Sequence, residues 1–254
     1  MSMRCPRAAI FDLDNTLAMA FEPLPARTGK GLADLLELMP IAIMSGAALE
    51  RMEKNILPEL PAHTKLERLY LFPDTCARCY VYANGAWELV YDYHFTKTDF
   101  EKIVATLKEG MEKTEIVKDT PQWGERMLAR ENQVTFAGLG VDAPGDKKAA
   151  WDPDRRKRAK LKQYLDERLA GLPVDIRISS RTAIDITQSG VNKAEGVHWF
   201  AKHFGIEPSK MIFVGDDLAP GGNDSMVIGT GIETRQTSGP EETAEIIENL
   251  VSLT

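Results

Sequence analysis

Cysteine is scarce in this 254-residue sequence: there are three, an odd number that excludes the disulfide framework of a small secreted domain. Cys76 and Cys79 form the pair Cys-Ala-Arg-Cys, but no second pair follows, and His63, His94, His198 and His203 are not spaced to complete a zinc site. Two reduced cysteines beside a strand are expected instead. No apolar run approaches the roughly 18 residues that a membrane helix needs, and Met1 to Arg7 lacks the apolar core and cleavage site of a signal peptide. A cytoplasmic protein with no membrane partner is therefore expected. Positive charge is also short, with 31 Lys and Arg against 38 Asp and Glu and a net charge of −7. Such a chain has no global electrostatic reason to coat a phosphate backbone, so no nucleic-acid partner is expected, although a small anionic ligand remains compatible. The basic run Arg155 to Lys162 is the exception; with Asp166 and Glu167 nearby it reads as the solvated face of a helix. Gly (19) and Pro (14) are too few for a collagen or a disordered linker.

What is present is ordinary globular composition, 43% hydrophobic and 27% charged, long enough for one large or two modest domains. Ala8 to Phe11 is a short, wholly apolar run, as buried parallel strands are, and it stops abruptly at Asp12-Leu13-Asp14-Asn15-Thr16. A helix over Gly31 to Met39, a buried strand over Ile41 to Met44 ending at Ser45-Gly46, and a helix over Ala47 to Leu57 follow. Further strands are predicted over Leu69 to Phe72 and Cys79 to Tyr82, with Asn84-Gly85 turning into Trp87 to Tyr91. From about 85 to 188 continuous apolar runs thin out. A helix over Lys97 to Lys113, a strand over Arg126 to Phe136, a helix over Pro153 to Leu169 and strands near Ile176 and Ile184 suggest an inserted α+β segment. The parallel pattern resumes at Met211 to Val214 and at Val227 to Gly229.

The chemistry-bearing residues sit where apolar strands end. Asp12 and Asp14 lie two apart after the first strand, and like charges so close repel unless a cation or a shared proton relieves them. A hard divalent cation with oxygen ligands would do so. The strand Met211 to Val214 likewise runs into Gly215-Asp216-Asp217, and Gly221-Gly222-Asn223-Asp224 turns an amide and another acid back toward the same place. Ligands of open parallel sheets bind outside the carboxyl ends of strands, near the switch point of the topology, so these acids point to one crevice. Ser45 follows another buried strand, and Lys193 opens a helix after Gly190-Val191-Asn192.

In this order, the four segments resemble the haloacid dehalogenase-like superfamily. Its first motif is Asp-x-Asp-x-Thr (Asp12, Asp14, Thr16), its second a Ser or Thr (Ser45), its third a Lys (Lys193) and its fourth an acidic Gly-Asp loop (Gly215-Asp216, with Asn223-Asp224). The insertion between the second and third motifs is similar to the C2B cap of subfamily IIB, which holds Cof-type and sugar-phosphate phosphatases and the eukaryotic-type phosphomannomutases. Gly215 to Asp224 matches the phosphomannomutase loop Gly-Asp-x-x-x-Pro-Gly-Gly-Asn-Asp. Arg130 and Asp185 fall where those enzymes hold the sugar phosphate; Trp123 and Val141 stand where further arginines belong, and Asn15 replaces the usual Gly. Arg126 shares a strand face with Arg130 by the period of two.

The resemblance implies an α/β protein with a Rossmann-like core (1–84 and 189–254) and a cap (85–188). It also implies a Mg²⁺-dependent phosphatase acting on a sugar phosphate or similar small phosphomonoester. Asp12 becomes the nucleophile and Asp14 the general acid and base. Mg²⁺ is held by the carboxylates of Asp12 and Asp216 and the carbonyl of Asp14. Ser45 and Lys193 take phosphate oxygens, and Asp224 orients Lys193 or a metal-bound water. Arg130, Asp185 and Asn223 are the expected substrate contacts. A phosphomannomutase and a catalytically silent binding module on the same fold are the alternatives.

Overall fold

The computed structural model describes residues 5–253; Met1 to Arg4, which belong to the N-terminal segment considered above, lie outside them. Two compact units are formed, one from residues 1–92 and 192–254 and one from 93–191.

The first unit begins with β1 (Ala8–Asp12), α1 (Ala26–Leu38), β2 (Ile41–Met44), α2 (Leu49–Ile56), β3 (Leu69–Phe72), β4 (Arg78–Ala83) and β5 (Ala86–Asp92). The second contains α3 (Lys97–Lys113), β6 (Met127–Arg130), β7 (Gln133–Ala137), α4 (Gly145–Trp151), α5 (Arg156–Arg168), β8 (Val174–Ser179) and β9 (Ala183–Gln188). The chain then returns to the first unit with α6 (Lys193–Phe204), β10 (Met211–Gly215), β11 (Glu233–Gln236) and α7 (Pro240–Ser252).

The seven-stranded sheet of the first unit has the order β11-β10-β1-β2-β3-β4-β5. β1 is the central parallel strand, pairing with β10 on one side (Phe11 opposite Val214) and with β2 on the other (Phe11 opposite Ile43). Every residue of β1 and β10 is buried, as the continuous apolar runs require of strands covered on both faces. Ala9 and Phe11 pack toward Leu32, Leu35 and Leu36 of α1 and Ile247 of α7. Ala8 and Ile10 point the other way, into the cluster of Val197 and Phe200 on α6. Because β1 neighbours both β2 and β10, its carboxyl end lies at a reversal of strand order, where such sheets leave a crevice.

Three expectations change. The first unit extends to Asp92 rather than ending at 84, because the Asn84-Gly85 turn folds β5 back onto β4, which adds both as antiparallel strands to the core sheet. Val227 to Gly229 is a 3-10 turn (Ser225–Thr230), and the outermost parallel strand is the polar, largely exposed Glu233–Gln236. The single strand expected over Arg126 to Phe136 is a hairpin of β6 and β7.

In the second unit β6-β7-β9-β8 form an antiparallel sheet. Val134, Phe136, Ile184 and Ile186 pack on Ile103 and Leu107 of α3 and Leu161 and Leu165 of α5. The basic run also departs from expectation. Arg156, Lys157 and Lys160 are exposed, but Arg158 is only 2% exposed. Its Nε donates to Asp152 at 2.9 Å and its Nη1 to the carbonyls of Ser179 and Ser180, each at 3.0 Å. The Asp152 carboxylate also accepts the amides of Lys157 and Arg158, capping the start of α5. Cys76 and Cys79 are buried free thiols. Burial pushes Cys76 up to about 12 and Cys79 also upward, so neither is a ready thiolate ligand. Among the described residues no helix is long and apolar enough to cross a membrane.

Removing one partner of a buried ion pair strands the other charge, so Arg158→Ala should cost about 3–5 kcal/mol in urea unfolding. A loss below about 1 kcal/mol would mean that the pair contributes no more than a surface pair does.

Candidate active site

β1 ends at Asp12 and the chain turns at once. The amides of Leu17 and Ala18 donate to the carbonyl of Leu13, and Asn15 sits at φ 64°. Asparagine is among the few side chains that tolerate this left-handed conformation, which accounts for its standing where a glycine is usual. The buried Thr16 places its hydroxyl 3.4 Å from Asp216 Oδ1, joining the first turn to the loop after β10.

Lys193 enters from a third segment. Asn192 caps α6 by accepting the amides of Ala194 and Glu195, which fixes Lys193 as the first helical residue. A lysine there is usually solvated, but this one is wholly buried. Its Nζ donates to Asp12 Oδ1 at 2.5 Å and to Asp224 Oδ1 at 2.6 Å. Asp224 is equally buried, and its other oxygen accepts the amide of Asp217 at 3.3 Å. A Cβ on residue 215 would lie 2.3 Å from that oxygen, so Gly215 is required for the loop to bring Asp224 in.

The carboxylates of Asp12, Asp216 and Asp224 each offer an oxygen within 4.8 Å of the others. Burial pushes Asp12 up to about 8, with Lys193 opposing the shift and Asp224 and Asp216 adding to it. Asp216 is pushed up to about 6 by burial, with Asp224 adding. Burial acts to lower Lys193, but the charges of Asp12 and Asp224 outweigh it and hold the ammonium above its ordinary value. More negative charge is gathered here than one ammonium offsets, and the donors are all hard oxygens. Both properties fit a small divalent cation. Asp14, expected to meet the cation through its carbonyl and to serve as general acid and base through its carboxylate, has both carboxylate oxygens accepting from the guanidinium of Arg51, at 2.8 and 2.5 Å.

Ser45 is buried at the end of β2, its hydroxyl accepting the amide of Ala47 at 3.1 Å. Asn223 donates its amide to Asp217 in the same loop as Asp224. The first unit thus brings Asp12, Lys193, Asp216 and Asp224 into one cluster. Arg130 and Asp185 belong to the second unit. Pairing of Arg130 with Gln133 and of Asp185 with Thr135 puts both on the polar face of the four-stranded sheet, where Asp185 accepts from Gln133 and Thr135 at 2.9 and 2.6 Å. Arg126, on that same face by alternation, gives one amino group to the carbonyls of Thr120 and Pro121. Arg51 was missed by the reading of the sequence, because a lone arginine in an amphipathic helix carries no motif.

Fold and cluster together define an α/β protein with an acidic crevice at the carboxyl edge of a parallel sheet and an inserted α+β unit. The sequence model described as haloacid dehalogenase-like hydrolase matches residues 142–224. Among solved structures, an N-terminally truncated IMP-nucleotidase of Plasmodium falciparum superposes with a TM-score of 0.74 at 17% identity, over 98% of this chain and 71% of that one. The C-terminal domain of the trehalose-6-phosphate phosphatase of C. albicans gives 0.67 at 17% identity, over 98% and 94%. A haloacid dehalogenase-like hydrolase from Bacteroides thetaiotaomicron gives 0.63 at 14%, over 96% and 99%. No curated protein matches in sequence. The matched segment covers about a third of the chain and is similar to haloacid dehalogenase-like hydrolases, and the solved structures share the fold of this chain.

A cation bound among these carboxylates competes with protons. A folded-state value of about 6 for Asp216 means that the proton is retained below that pH. With Asp12 held at about 8 as well, the rise in melting temperature produced by Mg²⁺ should begin to shrink as pH falls through about 8 and shrink further through about 6. An equal rise at pH 5 and pH 8 would contradict the assignment of Asp216 as a ligand.

Proposed function

We propose that the chain is a Mg²⁺-dependent phosphatase of small phosphomonoesters, a sugar phosphate foremost, that works through an aspartyl-phosphate on Asp12. The buried Lys193 ammonium between Asp12 and Asp224, with Asp216 within ligand distance, is the observation that carries this reading. The names of the structural neighbours, a nucleotidase and a trehalose-6-phosphate phosphatase, agree with a small phosphorylated substrate.

Asp12 and Asp216, with the carbonyl of Asp14, would hold Mg²⁺. When bound, the ion neutralises charge on the phosphoryl oxygens and on the carboxylates that face them. Lys193 opposes the protonation that burial favours at Asp12 and orients its carboxylate, and with the Ser45 hydroxyl binds the oxygens that are not transferred. An Asp12 oxygen attacks phosphorus; the ester P–O bond breaks, and its electron pair leaves on the alcohol oxygen, which takes a proton from Asp14. In the second half-reaction Asp14 takes a proton from water, whose oxygen attacks phosphorus and releases Asp12 and orthophosphate. Asp224 acts through Lys193 as a positioning residue.

The insertion is assigned to substrate choice, through Arg130 and Asp185, with Asn223 contributing from the core loop. A mutase must grip a second phosphate strongly, usually with several arginines. Val141 and Trp123 bring no charge, and Arg126 is engaged with carbonyl oxygens, so hydrolysis is favoured over interconversion. A silent binder has no need of every motif position, yet all are filled.

Asp12→Asn keeps the side-chain shape but removes the nucleophile, so p-nitrophenyl phosphate hydrolysis should fall more than about a hundredfold with the fold intact by circular dichroism. Excess chelator should abolish wild-type activity, Mg²⁺ should restore it and Ca²⁺ should not, because the larger ion's looser shell misplaces the phosphate. Full activity in chelator, or in Asp12→Asn, would sink the reading.

A further inference from the structure

Arg51 lies in the first turns of α2, six residues beyond Ser45, and occupies no motif position. Its Nη1 and Nη2 each hold one carboxylate oxygen of Asp14. The ring of Phe21 lies against the guanidinium with its centroid 4.7 Å away. Phe21 is half-exposed and has φ 69°, a left-handed conformation that a bulky residue keeps only where its surroundings hold it. Arginine, phenylalanine and aspartate thus form a built contact beside the cluster of acids.

The two cations of this edge are not equivalent. Lys193 is buried and held by two carboxylates, so it would meet a phosphoryl oxygen without leaving its place. Arg51 is paired with the Asp14 carboxylate at side-chain exposures of 23% and 31%, open enough to water for the partners to exchange. A phosphoryl group presents pairs of oxygens that a guanidinium fork takes as readily as it takes a carboxylate. If the site transfers phosphoryl groups, two needs arise together. Asp14 must free an oxygen to reach the leaving group, and the substrate must bring its own negative charge into a crevice rich in carboxylates.

We propose that Arg51 is an exchangeable phosphate-binding residue: it clamps Asp14 in the free protein and, when substrate enters, moves to the phosphoryl oxygens and releases the Asp14 side chain. Substrate binding and the freeing of Asp14 are then one event. The proposal rests on the phosphatase reading above.

The test is binding of orthophosphate, with Mg²⁺ present, to the wild type, Arg51→Ala, Arg51→Gln and Arg51→Lys, alongside kinetics on p-nitrophenyl phosphate and glycerol 3-phosphate. Arg51→Ala and Arg51→Gln should each weaken phosphate binding about tenfold or more and raise KM for both esters, while Arg51→Lys restores most of the affinity. Unchanged phosphate affinity and KM in the folded Gln or Ala variant, with only kcat for glycerol 3-phosphate reduced, would make Arg51 a structural prop of Asp14 and overturn the proposal. Failure of the wild type to bind phosphate or to hydrolyse either ester would overturn the phosphatase reading itself, and this proposal with it.

Discussion

The site depends on one buried ammonium. Asp12, Asp216 and Asp224 come from the end of β1, the end of β10 and the turn after it, and their carboxylates lie within ligand distance of one another where burial already penalises charge. Without a cation they would repel one another or hold protons. Lys193, 181 residues along the chain from Asp12, supplies the charge from the first turn of α6, and its two short contacts tie β1, α6 and the loop after β10 together. Loss of that ammonium would leave Asp12 and Asp224 as unpaired buried acids, so the contact serves stability and, in the function proposed, reactivity as well.

Much of this was legible in the sequence, for a physical reason. A strand buried on both faces must be continuously apolar, so an abrupt run of acids marks its end, and β1 and β10 announced both themselves and their carboxylates. The outer parallel strand Glu233–Gln236 escaped notice because it lies at the edge of the sheet, where exposure removes the apolar signal, whereas the apolar Val227 to Gly229 imitated a strand and forms a 3-10 turn. β5 was recognised as a strand but given to the insertion, since periodicity shows that a segment is extended and not which sheet it joins.

Among site residues, those that terminate strands were readable from the residues alone, Lys193 was found through the third motif of the resemblance, and Arg51 was not found. Taken by itself Lys193 is only a lysine opening a helix, and its total burial follows from tertiary placement. Arg51 and Arg158 lie in helices where arginine is ordinary, yet one grips the Asp14 carboxylate and the other carries a buried network of carbonyls and Asp152. Exposure of long charged side chains is a safe average and a poor guide wherever a carboxylate waits in the interior.

The central claim is that Asp12, paired with Lys193, receives a phosphoryl group. The most direct measurement is mass spectrometry of protein quenched in acid after mixing with a phosphomonoester and Mg²⁺, using Asp14→Asn to slow release of the intermediate. The account predicts one added phosphoryl group, located on the peptide that contains Asp12 and absent when Asp12→Asn is added. Turnover of the ester by wild type with a phosphoryl group found on another residue, or with none trapped in Asp14→Asn, would contradict it.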